Sequence, residues 1–435
     1  MIRAHHLMVT AAMLALILVA GCADIERAVY VTQILPNGVT IIAEENRGSD
    51  MVSVHLWVRD GALYESADEA GTAALLRSVI VSAARNPVLE EKAQEFADDG
   101  GVVMASPSHD FVYYVTTCLA RHFEEAAELL YMGTTNTVFS DEDVESARQG
   151  LLISLDKYNS SPREQAYLAC MKSMMGEHPY TRLSYGSADV ITALTSDDLR
   201  ERHRNMYVGR NMIISVVGNV DAMHAADVIE SLFDDVPAGE LAEPAAEGVV
   251  WRGERSDEVL HGEGFPPYII VGFPAPSGSD EDVAAMDLLL MLLGRGRASR
   301  LERGLILDEQ LAVSVSAGWG TKRQPNPIMA WVDVGDHDVD RAREATVEAF
   351  LSLADDPIDE DDVARARIAM LTEVAEARCT MAERASYEAY YAIVSGTSFI
   401  DEYMAQIEEL TAEDLERVAK KYFRRDSYSV AIASP

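Results

Sequence analysis

Apolar positions along the chain alternate between two spacings, and each change of spacing marks an element. Ile34-Leu35 and Val39 to Ile42 flank Asn37-Gly38, a dipeptide that favours the positive backbone torsions of a tight hairpin turn. Val52 to Val58 reads as the next strand and stops at Asp60-Gly61. Phe111 to Val115 and Ile328 to Val332 are β-rich runs. After the first of these, Phe123, Ala126, Ala127 and Leu130 fall at i, i+3, i+4 and i+7, and after the second so do Val347, Phe350, Leu351 and Ala354. Each set forms one apolar stripe on a helix. Thr195 or Ser196 can cap a helix that opens with Asp197-Asp198, placing carboxylates at its positive end.

The pattern is written twice. Leu194-Thr195-Ser196-Asp197-Asp198-Leu199 recurs as Leu410-Thr411-Ala412-Glu413-Asp414-Leu415, an offset of 216. Asp143-Val144-Glu145-Ser146-Ala147-Arg148 recurs as Asp362-Val363-Ala364-Arg365-Ala366-Arg367, an offset of 219, so one small indel separates the two matches. The strand-like runs Met212 to Val217 and Tyr428 to Ala433 follow at matching distances. So long a repeat is a domain period and not a solenoid unit. Each half reads strand, helix, strands, helix, long helix, helix, strand. The expected fold class is therefore α+β, two homologous halves, each an antiparallel-rich sheet with helices packed on one face. The Pro-, Gly- and acid-rich stretch 237–256 lacks an apolar period and reads as a linker between domains at 22–236 and 257–435.

Composition changes this picture in two places. The 72 Asp and Glu against 36 Lys and Arg give a net charge of −36, which repels phosphate backbones and argues against nucleic acid as a partner. Leu7 to Ala20 is an apolar run broken only by Thr10, too short to span a bilayer comfortably and suited to a signal peptide over residues 1–21. It ends in Leu18-Val19-Ala20-Gly21-Cys22, which resembles the bacterial lipoprotein cleavage box. That resemblance implies a lipid on Cys22 and a place in the bacterial cell envelope, facing the periplasm or the exterior. Cys118, Cys170 and Cys379 are widely spaced, with no C-x-x-C, and are expected as small buried apolar residues.

Taken in order, Leu35-Pro36-Asn37-Gly38-Val39, Val52 to Glu65, Gly71-Thr72-Ala73, His178-Pro179-Tyr180, the Leu194 helix and Tyr207 to Gly218 resemble the insulinase-type, or M16, metallopeptidases. In the second half, Gly294-Arg295-Gly296-Arg297-Ala298-Ser299-Arg300-Leu301 resembles that family's glycine-rich turn. The resemblance implies an inverted zinc motif, H-x-x-E-H, on the first helix. Two histidines four apart share a helical face and bind one ion, and the Glu activates its water. A further Glu on the long helix completes the family's site. Here the aligned positions hold Ala74, Arg77 and Ser78, and Ser154 takes the place of the distal Glu. Alanine has no lone pair, and arginine keeps its charge. Two unit charges about 4 Å apart repel by ~4 kcal/mol at an effective dielectric of 20, and a divalent ion doubles that. Zinc, the family's cofactor, is expected to be absent. An Arg and a Tyr that many relatives place after the glycine-rich turn fall on Ile306 and Val313.

Other clusters have plainer readings. His109-Asp110 reads as a loop entering a strand, His178-Pro179-Tyr180 after Glu177 as a turn, and His122 with Glu125 as a solvated pair. Arg295, Arg297, Ser299 and Arg300 are candidates to contact a peptide carboxylate or an acidic partner; equally, the arginines offset the protein's own acids. The resemblance leads to one expectation above others: a non-catalytic, lipid-anchored M16 homologue that binds peptide or unfolded polypeptide and partners an M16 subunit with an intact H-x-x-E-H. An active zinc peptidase with displaced ligands and a self-sufficient scaffold lipoprotein are the alternatives.

Overall fold

The computed structural model describes residues 29–82, 87–246, 248–252, 256–261 and 267–434. The expected signal peptide and Cys22 lie outside the described residues. The first half runs β1 (Tyr30–Ile34), β2 (Thr40–Glu45), β3 (Met51–Val58), α1 (Thr72–Ser82), α2 (Pro87–Asp98), β4 (Val102–Pro107) and β5 (Val112–Leu119). It continues through α3 (Phe123–Thr135), α4 (Asp141–Asn159), α5 (Pro162–Met175), α6 (Ala188–Ala193), α7 (Ser196–Met206), β6 (Met212–Gly218) and α8 (Ala222–Phe233). The second half runs β7 (Ser256–His261), β8 (Tyr268–Phe273), α9 (Val283–Gly294), a π-helical turn (Glu302–Asp308), β9 (Ser314–Gly318) and β10 (Ile328–Asp333). Then come α10 (Val339–Asp355), α11 (Glu360–Glu376), α12 (Met381–Val394), α13 (Phe399–Glu409), α14 (Ala412–Tyr422) and β11 (Ser429–Ser434).

The strands form two sheets, ordered β1-β2-β6-β3-β5-β4 and β7-β11-β8-β10-β9. Position by position these are the same sheet, with β1 added to the first. Each contains a parallel pair, β2 with β6 and β7 with β11, and its other pairings are antiparallel. The repeated sequence blocks explain one another. Arg148 on α4 donates to the carbonyls of Ile191 and Leu194, the latter at 2.9 Å. Arg367 on α11 donates to Ile407 and Leu410 at 2.9 and 2.7 Å. Each arginine thus ties the long helix to the end of the next helix but one, α6 or α13, and to the residue before the threonine cap that follows. Thr195 and Thr411 close identical capping boxes with Asp198 and Asp414.

Strand β3 shows how the layers are built. Val52, Val54, Leu56 and Val58 point into the core made with α1, α3 and α4. Ser53, His55 and Trp57 point the other way and are also buried, beneath α12 of the second half. The exchange is reciprocal. Helix α5 of the first half packs on β7, β8 and β11, while α12 packs on β3 and β6. Each half keeps its other helices on one face of its own sheet and receives a helix from its neighbour on the opposite face. The stretch after α8 is held along the first half, with Ala242 N–H on Asn211 Oδ1 (2.8 Å) and Ala245 N–H on the Leu63 carbonyl (2.8 Å). Cys118 and Cys170 are buried as expected, but Cys379 is exposed, since it lies in the turn between α11 and α12.

Candidate functional site

Helix α1 is built from the loop before it. Asp60 is fully buried and accepts from Arg202 of α7 at 2.6 and 3.0 Å, which fixes the exit of β3. Glu65, 1% exposed, accepts the N–H groups of Gly71 (2.9 Å) and Ala73 (2.7 Å), so a buried carboxylate caps the positive end of α1. Burial pushes this carboxyl up to about 7, against the opposing pull of Arg202 and of the two N–H donors. Gly71 has φ +107°, and Gly186 lies so close that a Cβ there would meet the Gly71 Cα at 2.1 Å. Glycine at both positions lets the loop before α6 seat against the start of α1.

On α1 itself, Ala74 is fully buried in the first core with Leu75 and Leu76. Arg77 and Ser78 are partly exposed. Arg77 Nη2 donates to Ser78 Oγ (2.9 Å), and Ser78 Oγ donates to the Ala74 carbonyl (2.8 Å). Arg77 Nε is buried without a hydrogen-bond partner among the described residues. Helix α4 packs against α1, so the two helices expected to share a site are neighbours. Ser154 on α4 donates to its own helix, at the Gly150 carbonyl (3.1 Å). The residues at these four positions do not make a zinc donor set. Ala74 has no donor atom, Arg77 is a fixed cation, and the neutral hydroxyls of Ser78 and Ser154 both give their protons to carbonyls of their own helices.

Beside α1 lies the free edge of the first sheet. Among the described residues, strand β4 pairs only with β5, and its Val102, Val103 and Met104 are 50%, 50% and 55% exposed. An unpaired edge with three consecutive exposed apolar residues is a template for another strand. At its start, Asp99, His122 and Glu125 bring one ligand atom each within 4.8 Å of one another. His122 Nδ1 lies 2.8 Å from Glu125 Oε2, the pair expected from the sequence. Its Nε2 accepts from Arg121 at 2.9 Å, which sets a cation where a metal would have to sit.

The remaining candidates are scattered. Arg295 pairs with Glu373 at 2.9 Å, so it offsets one of the protein's own acids, and Arg297 is exposed. Ser299 is 2% exposed, and its Oγ accepts from the Glu302 N–H, the role of a helix cap. Arg300 is partly exposed. Ile306 packs on the second core, and Val313 is exposed before β9. His109 and Asp110 do not pair with each other. His109 Nε2 lies 2.9 Å from the Arg182 carbonyl, while Asp110 accepts from the Tyr180 hydroxyl and the Arg323 N–H. His178 accepts from Tyr180 N–H through Nδ1 and meets Gln324 Oε1 at 2.7 Å through Nε2. Lys322 lies over the Tyr180 ring at 4.5 Å. These contacts seal the first half to the loop between β9 and β10. Only the loop's polar run Thr321 to Gln324 hinted at this in the sequence, and it named no partner.

Comparison with known proteins fits this architecture. Residues 40–186 match the family model described as insulinase (peptidase family M16), and residues 193–370 the model described as peptidase M16 inactive domain. The chain belongs to the M16 peptidase family. It is similar to a zinc protease of Bacillus subtilis, YmxG, at 22% identity over 92% of this chain and 97% of that one. It is also similar to the zinc protease PqqE of Helicobacter pylori, at 22% identity over 92% of both chains. Among solved structures, a protease from Helicobacter pylori superposes with a TM-score of 0.87 at 19% identity, covering 94% of this chain and all of that one. A peptidase M16 inactive domain from Pseudomonas fluorescens superposes at 0.85 and 19% identity, covering 94% and 98%. The periplasmic protease PqqL of Escherichia coli superposes at 0.76 and 17% identity over 93% of this chain, which spans 47% of that protein. These likenesses establish the fold.

Proposed function

We propose that this chain is a non-catalytic M16 homologue that holds extended polypeptide and serves as the partner of a zinc-bearing M16 subunit with an intact H-x-x-E-H. It is lipid-anchored through Cys22 and lies in a bacterial cell envelope. One observation carries the reading: on α1 a guanidinium donates to a hydroxyl that donates to a carbonyl, where a hydrolytic site needs imidazoles and a carboxylate. A metal-free α1 generates no hydroxide, so the chain acts by binding. Strand β4 supplies the surface, because a peptide laid along it gains main-chain hydrogen bonds and covers Val102, Val103 and Met104. The periplasmic setting named for PqqL supports an envelope location.

Elemental analysis of the purified, unaltered chain tests the first part, with no stoichiometric zinc expected and no peptide cleavage. One zinc per chain together with cleavage would overturn it and turn attention to Asp99, His122 and Glu125. Binding of a fluorescent unfolded polypeptide tests the second part. Val103→Glu should weaken that binding by about tenfold, roughly 1.4 kcal/mol, without lowering the melting temperature. Equal binding by both proteins would remove β4 from the account.

A further inference from the structure

The edge opposite β4 is β1, and it is the part of the fold nearest in sequence to Cys22. Only residues 23–28 lie between that cysteine and Val29, the first described residue. Seven Cα-to-Cα steps reach about 24 Å at full extension. Whatever conformation that stretch adopts, a lipid on Cys22 cannot hold Val29 farther than that from its own head.

Three features of the β1 edge fit a bilayer surface. Val29, Tyr30 and Ile34 are 51%, 46% and 68% exposed, the last two on the same side of the strand. The Tyr30 hydroxyl donates to Glu388 Oε2 of α12 at 3.1 Å, and the exposed part of its ring suits the boundary between headgroups and acyl chains. Residues 29–43 contain no charged side chain, in a protein whose net charge is −36. Two carboxylates lie behind this edge, Glu388 on Tyr30 and Glu230 on Gln33; the strand itself carries no charge, so anionic headgroups repel it less than the acidic remainder of the surface. The sheet order then fixes the other end. Five strand spacings of about 4.8 Å put β4 roughly 24 Å across the sheet from β1.

We infer that the β1 edge, through Val29, Tyr30 and Ile34, is the face that docks on the lipid surface, and that β4 and α1 are thereby turned away from the membrane. The inference rests on the lipid-anchored reading above. The lipid supplies the affinity; three apolar side chains add too little area to bind alone, but they choose which side of a tethered body faces the bilayer.

The test uses the full-length lipidated chain in vesicles of phosphatidylcholine and phosphatidylglycerol. Cys379→Ser removes the exposed thiol, and a fluorophore is placed at Ile34→Cys or Val103→Cys. A lipid-borne nitroxide should quench the Ile34 label several-fold more strongly than the Val103 label. A Gly/Ser insert of about 20 residues after Asp24, with ends roughly 25 Å apart on average, should erase most of that difference. Equal quenching at both sites in protein whose mass shows the lipid overturns the orientation and leaves the anchor standing. A mass without lipid overturns the anchor and the orientation with it. An Ile34 label shielded in proportion to protein concentration, and indifferent to the lipid quencher, assigns the face to a second copy and also overturns the inference.

Discussion

Helices α1 and α9 occupy the same place in the two halves and have opposite surfaces. Of the twelve residues of α9, ten are buried, from Val283 to Leu293. Helix α1 keeps its outer turn partly open, with Arg77 and Ser78 at the surface beside the free strand β4. Both halves bridge a buried acid ahead of the helix to the helix that opens with the threonine cap: Asp60, at the exit of β3, to Arg202 on α7, and Asp282, directly before α9, to Arg417 and Lys421 on α14. The scaffold was therefore kept in both copies, while an accessible face was kept in one. Under the proposed function, binding falls to the first half, and the second half supplies packing.

The exchange of α5 and α12 makes the comparison breakable. If each half were self-contained, a charge buried in α12 would loosen only the second half. Ala389 is fully buried against the first sheet, in a cluster with Trp57 and Ile213. Ala389→Asp should cost about 3–5 kcal/mol, the size of an uncompensated buried charge. Amide exchange should accelerate in β3 and β6 at least as much as in β8. Cys170→Asp on α5 is the mirror experiment, since the Cys170 thiol lies 3.8 Å from the Ser429 carbonyl of β11. It should loosen β8 and β11. Effects confined to the half that carries the substitution would refute the exchange.

Buried carboxyls give the next largest effect. Burial pushes Glu65 from an ordinary 4.5 to about 7, and Asp287 on α9 from 3.8 to about 7, although the Tyr403 hydroxyl donates to it. A carboxyl whose pKa is raised by folding binds more protons folded than unfolded. Stability is then lost as pH rises from the ordinary value through 7, and levels off above. Relative to the unaltered protein, Glu65→Gln and Asp287→Asn should each gain roughly 2 kcal/mol between pH 5 and pH 8, read from urea midpoints. A constant difference across that range would show that the carboxyl in question ionises normally.

The long-helix arginines sharpen the duplication. Arg148→Ala and Arg367→Ala each remove a cation that donates to two main-chain carbonyls. About 1.5 kcal/mol is expected from each, measured by chemical denaturation. A large cost in one half and none in the other would mean that the shared sequence block is held by different forces in its two settings.

These arginines also mark what could be read from the chain. The blocks around Arg148 and Thr195 repeat because each serves a contact inside its own half, and such contacts recur with the duplicated sequence. The exchanged helices leave none. Ala166, Cys170 and Met174 say that α5 buries a face, but an apolar stripe does not say which sheet it will meet. Glu65 was equally silent, because Glu65-Ser66-Ala67-Asp68-Glu69 reads as a solvated acidic turn. Its burial follows from the chain folding back at Gly71, a long-range consequence of the contact with Gly186. The substituted motif was visible as residue types at Arg77 and Ser78, whereas the hydrogen-bonded chain between them appears only once α1 is folded.

The smallest effect tests the closest likeness. Thr195 and Thr411 share φ −110° and ψ 169°, and each accepts from the N–H three residues on while an Asp reaches back to its own N–H. The Asp carboxyls are both held below their usual range, first by the threonine hydroxyl and then by its N–H. Equal geometry should mean equal energy if the surroundings contribute nothing. Thr195→Ala and Thr411→Ala should each cost about 1 kcal/mol, and the double substitution should cost the sum, because the caps share no partner. Differential scanning calorimetry of the two single variants and the double reads this directly. If the sum fails, the exchanged helices couple even the outermost turns of the two halves, and neither copy of the fold can be treated as a separate cooperative unit.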